Sequence, residues 1–156
     1  MNSRLIQQCK HAILSNKSVE RDIRLSLSDK CQLKRISKKL RNNPLEIENL
    51  SFEEFVLLCK HMKKEVILVV KDNHCTRIVN LLNFNTNTLR YMMINILRDI
   101  EDNNEYCLYE NIDITKLKLT YIDKPFVLFE DFHVLCNKLN VTVNIDWKNI
   151  NEYTYY

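Results

Sequence analysis

Residues Ser51 to Val79 read SFEEFVLLCKHMKKEVILVVKDNHCTRIV, and this stretch decides the fold class. Ser51-Phe52-Glu53-Glu54 has the S-x-x-E form of a capping box. In that box the hydroxyl and the carboxylate each satisfy a backbone N–H left open at a helix start. Phe52, Phe55, Val56, Cys59 and Met62 then recur at the spacing of one helical face. Lys64 ends that helix, and Val66 to Val70 is a β-rich apolar run. The turn Lys71 to His74 leads into a second such run, Cys75 to Leu82, so the spacing predicts a helix followed by a β-hairpin.

Further along, Leu128 to Tyr156 reads LFEDFHVLCNKLNVTVNIDWKNINEYTYY. Laid on the first stretch without a gap, it pairs Phe52 with Phe129, Phe55 with Phe132, Leu58 with Leu135 and Cys59 with Cys136. Val66 falls on Val143 and Lys71 on Lys148. The expectation is two duplicated helix-plus-hairpin units, 51–79 and 128–156. They would belong to pseudo-repeats of about 18–82 and 86–156 within one compact domain, 1–156. The competing explanation is that helix-then-strand segments resemble one another because the same apolar periods shape them all. The predicted fold is α+β, with helices packed on a small, mainly antiparallel sheet.

The remaining segments fill in this plan. Arg4 to Leu14 reads as a helix with Leu5, Cys9 and Ala12 on one side. A second helix runs from Ser28 or Asp29 to Asn42 on a thin seam of Leu33, Ile36 and Leu40, and Pro44 stops it. Leu89, Met92, Met93, Ile96, Leu97 and Ile100 form the cleanest amphipathic helix, capped by Asn87 or Thr88. Two strand-like runs follow, Glu105 to Tyr109 and Ile114 to Ile122.

Composition excludes several chemistries. The chain has no glycine, one alanine and two prolines, with abundant Asn, Ile, Lys and Tyr. Phosphate-cradling loops, dinucleotide-binding turns, the nucleophile elbow and the EF-hand loop all depend on glycine. Turns must instead use Asn and Asp, as at Asn42-Asn43, Asp72-Asn73 and Asn103-Asn104. The skew follows the codons of an AT-rich genome, as in many large DNA viruses, some phages and reduced parasites, and with the compact size it would suit an accessory protein of a large DNA virus. Cys9, Cys31, Cys59, Cys75, Cys107 and Cys136 are widely spread, without the close pairs of a zinc module. Each histidine neighbours a cysteine, yet residues two apart on a helix diverge by about 200°, so Cys9/His11 and Cys59/His61 cannot chelate together. Cys75 beside His74 is the one thiol–imidazole pair outside a core pattern. The start of the chain lacks the apolar core of a secretory signal, and no run approaches the ~20 apolar residues of a membrane span. The expectation is an intracellular protein, cytoplasmic or nuclear, with no cofactor, no metal and no catalytic site.

One segment carries a positive functional signal. Lys30, Lys34, Arg35, Lys38, Lys39 and Arg41 crowd the second predicted helix, and residues 1–48 hold eleven Lys/Arg against five Asp/Glu. Such a run is either a solvated helix face or the footprint of an anionic partner. The sequence therefore points to a small non-enzymatic binding or regulatory protein that engages a macromolecular partner, another protein or nucleic acid. The alternative is a nucleic-acid-binding accessory factor of replication or transcription, working through the helix at 30–41.

Overall fold

The capping box at Ser51 forms as its residues dictate. The Ser51 hydroxyl accepts from the Glu54 backbone N–H at 3.1 Å, and the Glu54 carboxylate accepts from the Ser51 N–H at 3.1 Å. The structure, a computed structural model, describes residues 3–15 and 18–146. Among them the chain runs α1 (Ser3–Ser15), α2 (Leu27–Asn42), α3 (Phe52–Met62), β1 (Ile67–Lys71), β2 (Thr76–Asn80), α4 (Thr88–Asp102), α5 (Ile114–Asp123), α6 (Phe129–Lys138) and β3 (Thr142–Asp146). The fold is α+β: six helices and a three-stranded antiparallel sheet of order β2-β1-β3.

The expected helix-plus-hairpin is present. Helix α3 buries Phe52, Phe55, Val56 and Cys59, as its spacing requires, and also Leu57 and Leu58. Strand β1 is buried at every position from Ile67 to Val70, the mark of a central strand covered on both faces. The β1–β2 turn is closed by Asp72, whose carboxylate accepts from the backbone N–H groups of His74 and Cys75 at 2.8 and 2.9 Å.

Contacts divide the chain into two compact units. The first holds the described residues up to Val69, with Ile78–Phe84 and 144–146. In it α2 rests on α3 and on a 3₁₀ turn at Pro44–Asn49, while Phe52 meets Phe84 edge-on at 5.5 Å. The second unit holds Val70–Arg77 and Asn85–Val143, with α5 and α6 packed on α4.

The ungapped pairing of the two stretches recurs locally in space. Lys63 and Asn140, which the pairing aligns, are both left-handed, with φ of 55° and 57°. The Cys59 carbonyl accepts from Lys64 N–H, and the Cys136 carbonyl from Val141 N–H, each at 2.9 Å. The strands then part company: β3 starts at Thr142, whereas the pairing aligns the start of β1 with Asn144. The remainder of the expected second unit, residues 147–156, lies outside the described residues. The likeness therefore covers a helix and its closure, and a duplication is not established.

Two expected strands are corrected. Glu105 to Tyr109 is a short turn, with a 3₁₀ segment at Tyr106–Tyr109, and Ile114 to Ile122 lies within α5. Leu117, Leu119 and Tyr121 alternate like a strand, but Ile114, Leu117 and Tyr121 also fit a helical period. Asp113 tips the balance by capping the helix, its carboxylate accepting from Lys116 N–H at 3.1 Å. Ile114 and Tyr121 are then buried, while Leu119 and Ile122 are left exposed.

Caps also separate the two aligned helices. Leu128 stands at the N-cap of α6 where Ser51 caps α3, and it makes no side-chain cap bond. Ser51→Ala should therefore cost about 1 kcal/mol, whereas Leu128→Ser should stabilise by up to about 1 kcal/mol. Chemical denaturation of both variants checks the pair, and a loss of stability in Leu128→Ser contradicts it.

Candidate macromolecule-binding face

Helix α2 is built to present one face outward. Ser26 caps it, accepting from Asp29 N–H at 3.1 Å, and only Leu33 and Ile36 are buried along its length. All six basic residues singled out in the sequence, Lys30, Lys34, Arg35, Lys38, Lys39 and Arg41, are exposed. At about 100° per residue they sweep roughly 180° of the helix, centred opposite the Leu33/Ile36 seam. The remaining residues in that arc, Leu27, Ser28, Cys31 and Asn42, carry no negative charge, and Leu27 is 79% exposed. The one acid of the helix, Asp29, falls on the seam side. None of the six cations makes a side-chain hydrogen bond or ion pair with a described residue.

Helix energetics explain only part of this charge. Lys39 and Arg41 lie in the last turn, where cations favour the negative end of the macrodipole. Lys30 lies in the first turn, where a cation opposes it. The like-charged neighbours 30/34, 34/38, 35/39, 35/38 and 38/41 each cost about 0.2–0.5 kcal/mol, together about 1–2.5 kcal/mol. Burying Leu33 and Ile36 contributes about 1.5–3 kcal/mol each and outweighs that cost. The helix is stable, but its outer face is an uncompensated positive surface that an anion would relieve.

A second constellation was not legible in the sequence. Arg77 on β2 donates to the carboxylates of both Asp72 and Asp99. The Cys75 thiol lies with these two, ligand atoms within 4.8 Å of one another, the one such grouping of potential metal ligands among the described residues. The guanidinium already neutralises both carboxylates, so a metal ion would have to displace it. Burial pushes the Asp72 carboxyl up. The N–H groups of Cys75 and His74 and the Arg77 guanidinium outweigh that and hold it below the ordinary range. Burial also raises the Cys75 thiol, against the pull of Arg77, which leaves it a poor nucleophile.

The imidazole of His74, adjacent to Cys75 in the sequence, faces a carboxylate. His74 Nε2 pairs with Glu105. The cleft beside it, lined by Asp72, His74, Ile96, Glu105 and Tyr109, holds about 10 Å³, room for one water and no substrate. The core thiols are inert as well: burial pushes Cys9 and Cys136 up to about 12 and Cys59 higher still. His133 stacks on Phe129 at 5.6 Å.

Compared with known proteins, the chain matches no family model, no curated protein and no solved structure. No helix among the described residues is long and apolar enough to cross a membrane.

The His74–Glu105 pair yields a pH dependence. The hydrogen bond to Glu105 raises the His74 pKa above the ordinary imidazole value. A raised pKa means that the pair's contribution is fully present below the unfolded-state pKa of about 6.5 and is lost as pH rises through the folded-state value. An NMR titration of the His74 ring should give a midpoint above the ordinary value in the wild type, and Glu105→Gln should bring it down. A wild-type midpoint at or below the ordinary value contradicts the pairing.

Proposed function

We propose that this chain is a small, non-enzymatic accessory protein that binds nucleic acid through the exposed basic face of α2. The observation that carries the reading is the half-cylinder of six unneutralised cations opposite the Leu33/Ile36 seam. Lys30 to Arg41 covers about 17 Å of helix axis, or one positive charge per roughly 3 Å. Duplex DNA carries one phosphate per ~1.7 Å of axis, so such a face meets a phosphate backbone along its whole length.

The same face supports a reading without sequence specificity. No aromatic residue stands among its cations, so stacking on bases is not offered. Lysine and arginine on a straight helix neutralise phosphates and fix register, whereas base edges are read by specific donor and acceptor pairs in the grooves. The non-enzymatic part of the proposal is supported by the small volume beside His74 and by the protonated state favoured for the Cys75 thiol.

Binding of the purified chain to fluorescent duplex and single-stranded oligonucleotides, across a salt series, tests the proposal. With about four phosphates engaged, log K for duplex should fall against log salt with a slope of about −3 to −4. That is roughly 100-fold between 50 and 200 mM. Lys34→Ala combined with Lys38→Ala should halve that slope and weaken low-salt binding at least tenfold. Absence of binding at low salt, or a slope that the double variant leaves unchanged, overturns it.

A further inference from the structure

The strand-like reading of Ile114 to Ile122 had a physical cause: the segment carries more apolar residues than its helix can bury. Once Ile114 and Tyr121 are inside, Leu119 and Ile122 remain 55% and 44% exposed. Helix α4 shows a matching excess. It buries Leu89, Met92, Met93, Ile94, Ile96, Leu97 and Ile100, yet Tyr91 is 56% exposed. Tyr91, Asn95 and Arg98 follow one another at helical spacing on the outer side.

These residues converge. Arg90, Tyr91, Ile94, Asn95 and Arg98 of α4 and Ile122 of α5 line an open groove of about 400 Å³. Arg90 fixes one end of it, its Nη1 donating to the carbonyls of Ile122 and Lys124 at 3.1 Å each. Its guanidinium lies over the Tyr91 ring at 4.9 Å, and its Nε is buried without a hydrogen-bond partner. Neither Arg90 nor Arg98 pairs with a carboxylate among the described residues, and no acid lines the groove. An apolar centre of Tyr91, Ile94 and Ile122 is thus flanked by two cations that lack anions.

We infer that the α4–α5 groove is a docking site for an acidic segment of a partner protein, one that carries an apolar side chain between its carboxylates. Arginine, tyrosine and a packed aliphatic centre are the composition of interface hot spots. Arg90 and Arg98 are separated by about 12 Å along α4, a distance that two carboxylates two turns apart on a docked helix would match. Two arginines call for acids, and exposed Tyr91 with Ile122 calls for a hydrophobic anchor, which a phosphate backbone does not provide. The groove shares no residue with the basic face of α2, so either surface can fail its test while the other stands.

The probe is a fluorescein-labelled twelve-residue peptide with Leu and Phe spaced along one face of an Asp/Glu-rich helix, titrated with the full chain. A second peptide of equal charge has Ser in place of Leu and Phe. The first should bind with a Kd on the order of 10–100 μM, and the second at least about tenfold more weakly. Arg98→Glu and Ile122→Ser, both at exposed positions, should each weaken binding about fivefold or more. Lys34→Ala with Lys38→Ala should leave it unchanged. Thermal melts of each variant separate loss of the groove from loss of the fold, and a variant that unfolds is replaced by Arg98→Gln or Ile122→Thr. Absence of binding at 1 mM protein overturns the inference. So does binding that is indifferent to Arg98 and Ile122, or that is lost in the α2 variant.

Discussion

Burial of the segment from Phe52 to Val69 is the constraint on which the first unit depends. Helix α3 hides six of its residues, and β1 is closed off at four consecutive positions. Helix and strand are joined by a tight reversal that needs a left-handed residue, in a chain without glycine. Lys63 takes that conformation, at a steric cost that most proteins avoid with Gly. The reversal is held by its neighbours: the Lys63 carbonyl accepts from Val19 N–H, and the Met62 carbonyl from the Ser18 hydroxyl, each at 2.8 Å. Everything laid against α3 inherits its position from this buried segment.

The exposure of the basic face follows from it. Helix α2 has so little apolar surface that it can bury only one narrow seam on α3, leaving the other side in water. A broader seam would have drawn Leu27 or Leu40 fully inward and turned some cations toward the protein. The thin seam is thus the structural reason that six charges face solvent, and mutual repulsion among them is tolerated because two buried aliphatic side chains exceed it. Two cations of the second unit, Arg77 and Lys118, are handled in the opposite way. Arg77 is enclosed by Asp72 and Asp99, and Lys118 pairs with Glu101 at 2.6 Å. Neutralised charge there ties the hairpin to α4; unneutralised charge on α2 is available to a partner.

The sequence made the helices legible where one period dominated. Phe52, Phe55, Val56 and Cys59, and likewise Leu89 to Ile100, are buried as their spacing required, and the hairpin turn was marked by Asp72-Asn73. It misled where two periods fitted equally, as in ITKLKLTYI, because the capping bond of Asp113 that decides for a helix adds nothing to the apolar pattern. Of the left-handed positions, Asn104 was among the expected turns, whereas Lys63 was hidden, since nothing in a lysine advertises positive φ. The six basic residues of α2 were visible as a charge run, and their exposure is what the structure adds. Arg77 with Asp99, and Tyr91 with Ile122, could not be read in advance, because partners far apart in sequence leave no local trace.

The proposed function requires nucleic acid to land on the basic face of α2. Backbone amide shifts of isotope-labelled protein, followed by NMR while a short duplex is added at low salt, test it most directly. Perturbations concentrated between Leu27 and Asn42, on the Lys34 and Lys38 side, are the predicted result. Perturbations that spare this helix and cluster on α4 or α5 would contradict the account.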